Sequence, residues 1–70
     1  MELKNKRKEL TPKEKHIINL ISQGYNDTEI AEMEKLSYNR IRGIRTTILM
    51  KMDAINSCNM IFKAVKKGII

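Results

Sequence analysis

Residues 26–52 read NDTEIAEMEKLSYNRIRGIRTTILMKM and carry two helix starts eleven residues apart, at Asn26 and Ser37. Asn26 is followed three residues on by Glu29, the reciprocal pattern in which each side chain serves the other residue's backbone N–H. The helix it opens is expected over 27–34, with Ile30, Ala31 and Met33 facing inward and Glu32 and Glu34 facing water. Ala31 suits a close crossing of two helices. After the short link Glu34-Lys35-Leu36, Ser37 caps a second helix. There Ile41, Ile44, Ile48 and Met52 recur at three- and four-residue intervals, the spacing of one buried helical face. This helix is expected over 38–52 and is the longest.

The flanking segments follow the same logic. Thr11-Pro12-Lys13-Glu14 combines a capping box with proline at the first helical position. Ile17, Ile18, Leu20 and Ile21 continue it as an apolar stripe, and Gly24 stops it as a left-handed cap. That helix is expected over 12–23. Asn56 or Ser57 caps a last helix with the stripe Met60, Ile61, Ala64 and Val65, ended by Gly68. No Gly/Ser linker, low-complexity tract or internal repeat interrupts the chain. The expected fold is all-α, four helices in one domain over 10–70, preceded by a basic leader over 1–9.

A 70-residue chain buries only about 60% of its unfolded surface. With eleven Ile, five Met, one Phe and no Trp, the core must be aliphatic. The single Cys58 excludes an internal disulfide and fits a reducing cytosol. No apolar run approaches the roughly 20 residues of a membrane span, and MELKNKRKEL lacks the apolar stretch of a secretory signal. An intracellular location follows as the expectation. The formal charge of +6 is unevenly placed. Residues 1–15 hold six bases against three acids, residues 16–36 one base against four acids, and residues 37–70 seven bases against Asp53 alone. A basic half points to a polyanionic partner, nucleic acid before anionic membrane. Membrane binding needs an exposed aromatic face, and the aromatics are too few.

Two helices joined by three or four residues match the spacing of a helix-turn-helix, whose second helix enters the major groove while the first braces on the backbone. At about 100° per residue, Asn39, Arg42, Gly43, Thr46, Thr47 and Met50 fall opposite the isoleucine stripe, with Arg40 and Lys51 at one edge. Arg can bind guanine bidentately, and Thr or Asn can meet base edges or phosphates. Met50 can meet a thymine methyl. Arg45 projects nearer the core, where an acid of the first or second helix can pair with it. Gly43 costs helix stability, and two readings stand: it lets backbone approach a ligand closely, or it occupies an undemanding exposed position. Catalysis has little support, because His16 and Cys58 are the only His and Cys and form no nucleophile–base or metal-ligand spacing. No metal or cofactor is expected. His16 reads as a surface or boundary residue and Cys58 as a small buried or half-buried one.

The chain from Leu10 to Ile70 resembles the LuxR/GerE-type DNA-binding domain of bacterial transcription regulators, usually the C-terminal domain of a response regulator or quorum sensor. The resemblance rests on LTPKEKHIINLISQGY, EIAEM, LSYNRIR, ILMKM and the closing AVKKGII, together about 61 of 70 residues without a gap. It implies a tetrahelical helix-turn-helix domain that binds double-stranded DNA in the bacterial nucleoid. Its third helix would read the major groove, and its fourth would form a homodimer. Base-reading roles fall on Arg42, Gly43 and Thr46, beside the outward Asn39. Phosphate roles fall on Ser37, Arg40, Ile41 and Lys51 and on the start of the second helix at Asp27 and Thr28, with Thr47 alongside on the outward face of the third. Dimer candidates are Cys58, Asn59, Phe62 and Lys63, and Glu14 is read as structural.

Four departures from the family pattern bear on function. Arg40 stands where a small Thr is usual, Ile44 where a His is usual, Asp27 where Asn is frequent, and Asp53 where Gly commonly follows the third helix. Ile44 is expected to pack in the core. Asp27 stabilises a helix N-terminus yet repels phosphate, so it would reduce affinity. An unusual base-reading set implies an unusual target. The rival reading is a protein-interaction module that keeps the fold and binds another transcription regulator. The leader Lys4-Asn5-Lys6-Arg7-Lys8 is either a phosphate-tracking arm or the remnant of an interdomain linker, and Met1 fits a complete small regulator or an excised domain.

Overall fold

A computed structural model describes residues 9–70, and the expected leader lies outside the described residues except for Glu9. Four helices follow one another: α1 Pro12–Ser22, α2 Asp27–Glu34, α3 Tyr38–Met52 and α4 Ser57–Lys66. Each begins where a side chain takes over an orphaned backbone N–H. Thr11 Oγ1 accepts from Glu14 N at 3.1 Å while Glu14 Oε1 accepts from Thr11 N at 2.9 Å. Asn26 and Glu29 repeat the exchange at 2.8 and 2.9 Å. Ser37 caps α3 through Arg40 N. Asn56, rather than Ser57, caps α4 through Asn59 N. Such caps contribute about 1 kcal/mol each.

The helix ends are less uniform. Gly24 and Gly68 take the expected left-handed conformation, with φ of +99° and +74°. Lys35 and Asp53 do the same at +58° and +54° although neither is glycine. That conformation costs an L-residue roughly 1–2 kcal/mol. In compensation, the next residue's N–H turns back into the helix, from Leu36 to the Ala31 carbonyl and from Ala54 to the Leu49 carbonyl. Leu36 and Ala54 then pack on the core, the apolar contact that accompanies this cap. Asp53 therefore closes α3 as a glycine would.

The core is one cluster: Ile17 and Ile18 of α1, Ile30 and Ala31 of α2, Ile41, Ile48 and Met52 of α3, and Met60 and Ala64 of α4. Ile44 is partly buried against it, as expected. α2 packs on α3, and α4 packs on both α1 and α3. Two apolar residues expected inside face water instead, Met33 and Val65. At about 100° per residue, Met33 lies about 60° from Ile30 and about 160° from Ala31, and Val65 about 100° from Ala64 and about 140° from Met60, off the centre of each buried face. Neither short helix can bury so wide an arc.

Polar ties bind the helices in pairs. Lys13 Nζ and His16 Nε2 of α1 both meet the Glu34 carboxylate of α2, at 3.2 and 2.9 Å. Their hydrogen bonds, that of His16 foremost, hold the Glu34 carboxyl below the usual carboxylate range. A depressed pKa contributes stability that is fully present above the unfolded value, about 4.3 for Glu, and is lost as pH falls through the folded value. Glu34→Gln should therefore reduce stability at pH 6 and narrow the gap from wild type as the pH drops below about 4. Urea unfolding followed by circular dichroism between pH 3 and 6 checks this, and a gap independent of pH would contradict it.

Candidate nucleic-acid interface

Burying Ile41, Ile48 and Met52 turns the opposite arc of α3 outward. Asn39, Arg40, Arg42, Gly43, Thr46, Thr47 and Met50 are all exposed, so the structure brings the expected base-facing set onto one continuous surface. Beside Gly43 the missing side chain leaves a shallow hollow edged by Asn39, Arg40, Ile44, Thr47 and, from α1, Glu14. A Cβ built on Gly43 would meet nothing within 4 Å. No packing partner inside this chain therefore demands the glycine. Thr47 Oγ1 donates to the Gly43 carbonyl at 3.0 Å. Thr28 is exposed in the first turn of α2. The exposed Ser37 hydroxyl accepts from Arg40 N, which leaves its proton able to donate outward.

The cations divide into two groups. Arg45 turns inward, where its guanidinium donates to Asp27 Oδ1 and to the Ser57 hydroxyl. This is the pairing with a second-helix acid anticipated from its position, extended to α4. It also changes the reading of Asp27, whose largely covered carboxylate meets a buried-side arginine instead of standing bare before a phosphate. Arg42 remains exposed. Its Nη1 donates to the Tyr38 hydroxyl at 3.1 Å, its guanidinium carbon lies 5.8 Å from the Tyr38 ring centroid, and its Nε is 4.0 Å from Asp27 Oδ2. The Tyr38 hydrogen bond, with a smaller contribution from Asp27, pushes the Arg42 pKa further up. Arg40 has no ion-pair partner among the described residues.

Four expected contacts need correction. Ile41 is 0% exposed and its N–H bonds to the Ser37 carbonyl, so it supports the face from behind and cannot touch a phosphate. Lys51 is occupied: its ammonium donates to both Glu14 oxygens, at 2.9 and 3.0 Å, and to the Glu9 carbonyl. It pins α3 to α1, and Glu14, buried, is structural. On α4, Lys63 donates to the Met52 and Asp53 carbonyls, satisfying the C-terminal groups of α3. Asn59 Oδ1 accepts from Ile55 N, which fixes the turn before α4. The outward face of α4 is instead carried by Phe62, Val65 and Cys58, with Ile55 preceding it, all exposed, so Cys58 is not the buried or half-buried residue expected of a small thiol. Tyr38 was not singled out by its position in the sequence, and Val65 was expected in the buried stripe of its helix. For Tyr38 the signal was present, since Tyr38 and Arg42 are four apart on one helix.

The α2–α3 pair thus has the arrangement of a helix-turn-helix, with a three-residue link and a cationic, hydroxyl-rich outer arc. The family model for bacterial regulatory proteins of the luxR family, GerE, matches residues 8–64. The chain belongs to the LuxR family. Comparison with curated proteins and with solved structures gives no significant match. LuxR-family membership implies a domain that binds double-stranded DNA in transcription regulation, with four helices and no strand among the described residues. No described helix is long and apolar enough to cross a membrane.

Because Gly43 is solvent-exposed within the helix and its Cβ position is open, Gly43→Ala should stabilise this LuxR-family domain by about 1 kcal/mol. Chemical denaturation of the free protein measures it. A loss of stability would mean that the glycine serves the fold itself.

Proposed function

We propose that the domain over 10–70 binds specific DNA sequences by placing α3 in the major groove, and so regulates transcription. One observation carries the reading: the whole outward arc of α3, from Asn39 to Met50, is exposed and offers cationic and hydroxyl groups with no acidic side chain of its own. Arg42, Gly43, Thr46 and Asn39 face the base edges. Arg40, Ser37, Thr28 and Thr47 hold the flanking phosphates. The open hollow at Gly43 admits the groove wall more closely than any side chain would. Basic residues of the leader add phosphate attraction without base preference.

Dimerisation through α4 belongs to the same proposal. Phe62 and Val65 lie one turn apart and are 60% and 59% exposed. Two copies related by a two-fold axis would cover these residues together with Cys58 and present two α3 helices to successive half-sites. The rival reading, a fold kept only to bind another transcription regulator, drew on the acidic second helix, which Asp27 opens, and on the altered third helix. The Asp27–Arg45 pair favours DNA over that rival.

Selection from a random duplex pool should return one preferred sequence, with affinity falling steeply as salt rises through counterion release. Arg42→Ala should cost about 1–3 kcal/mol and relax preference at one base pair. Arg40→Ala should weaken all sequences alike and flatten the log–log salt slope by about 0.9. Binding titrations at several salt concentrations check all three. DNA binding that ignores salt and both substitutions would sink the proposal.

A further inference from the structure

Arg42 is the one arginine of α3 that is exposed and at the same time held. Three groups of this chain meet it: the Tyr38 hydroxyl at 3.1 Å, the Tyr38 ring face at 5.8 Å and the Asp27 carboxylate at 4.0 Å. The last distance is an attraction between charges, longer than a hydrogen bond. Asp27 is not itself loose, because its other oxygen accepts from Arg45, which is anchored in turn on Ser57 of α4. The first residue of α2 and the first residue of α3 thus converge on one guanidinium. Of its five N–H donors, one is spent on Tyr38 and the Nε side faces Asp27. The edge formed by Nη1 and Nη2 keeps three, enough for the two parallel hydrogen bonds of a guanine contact.

We propose that Tyr38 and Asp27 are positioning residues for Arg42, fixing its guanidinium before DNA arrives and so setting how sharply the domain discriminates at the base pair Arg42 reads. This rests on the major-groove role proposed above for α3. An exposed arginine must otherwise give up its rotamer freedom on binding, a cost that preorganisation removes. The cost is smallest for the base that accepts both hydrogen bonds in the preset geometry. Asp27 then acts through Arg42, as an acid that aims a cation, and its own charge is compensated by Arg45.

The test compares wild type, Tyr38→Phe, Asp27→Asn and Arg42→Ala on the selected duplex and on duplexes changed at single base pairs. Tyr38→Phe keeps the ring and removes only a hydroxyl from a half-exposed side chain, so it leaves the fold intact. It therefore decides the matter even if Asp27→Asn, which breaks the Arg45 pair, proves unstable. Each positioning variant should lose about 3- to 10-fold in discrimination at the Arg42 base pair, the equivalent of one ordered side chain, with preferences elsewhere unchanged. Combined with Arg42→Ala, Tyr38→Phe should add nothing. A uniform loss on every duplex would make Tyr38 a direct phosphate contact and overturn the proposal. An Arg42-dependent preference that ignores both variants would overturn it while leaving the α3 reading standing. A wild type without any sequence preference would overturn both.

Discussion

The isoleucine stripe of α3 is the constraint on which the rest of the molecule depends. Ile41 and Ile48, with Met52, must leave water together, and the only surfaces available are α1, α2 and α4. Full burial of each such side chain contributes about 1.5–3 kcal/mol, a large share of a domain this small. Once the stripe is seated, the rotation of α3 about its own axis has no freedom left. The arc from Asn39 to Met50 then faces solvent as a geometric consequence. Core packing and the proposed DNA surface are two sides of one helix, fixed by the same contacts.

Around that core, tertiary structure sorts the cations by task. Lys51 holds α1 through Glu14, Arg45 links α2 and α4, and Lys63 closes the end of α3. Each satisfies a carboxylate or a carbonyl that would otherwise be costly to cover. Arg40 and Arg42 are what α3 leaves for an external anion. The basic half of the chain is therefore less basic toward a ligand than its formal charge implies. The pairing of Asp27 with Arg45 removes an acid from the same surface.

Much of this was legible in the residues, and the reasons are local. Caps at Thr11 and Asn26 announce helix starts through an acid three residues on, Ser37 announces one as a capping residue type, and Gly24 and Gly68 announce ends through a conformation glycine adopts freely. The outward placement of Gly43 follows from helical periodicity alone. What could not be read depends on partners distant in sequence. Lys51 looked like a phosphate contact because its partner Glu14 lies 37 residues away. Lys63 looked like a dimer residue because nothing in its own helix shows the carbonyls of Met52 and Asp53. Ile41 belonged to the buried stripe by its spacing, and its phosphate role came from resemblance rather than from its own chemistry. Lys35 and Asp53 show the converse limit, since packing forces a left-handed turn that neither residue advertises.

The central claim is that the arc of α3 opposite its isoleucine stripe meets DNA. Backbone amide chemical shifts, followed while the selected duplex is titrated into the labelled protein, test it most directly. The account predicts the largest changes over residues 37–47 and at the start of α2, with Ile17, Ile18 and the other core positions nearly still. Changes confined to α4, or none at all, would contradict it.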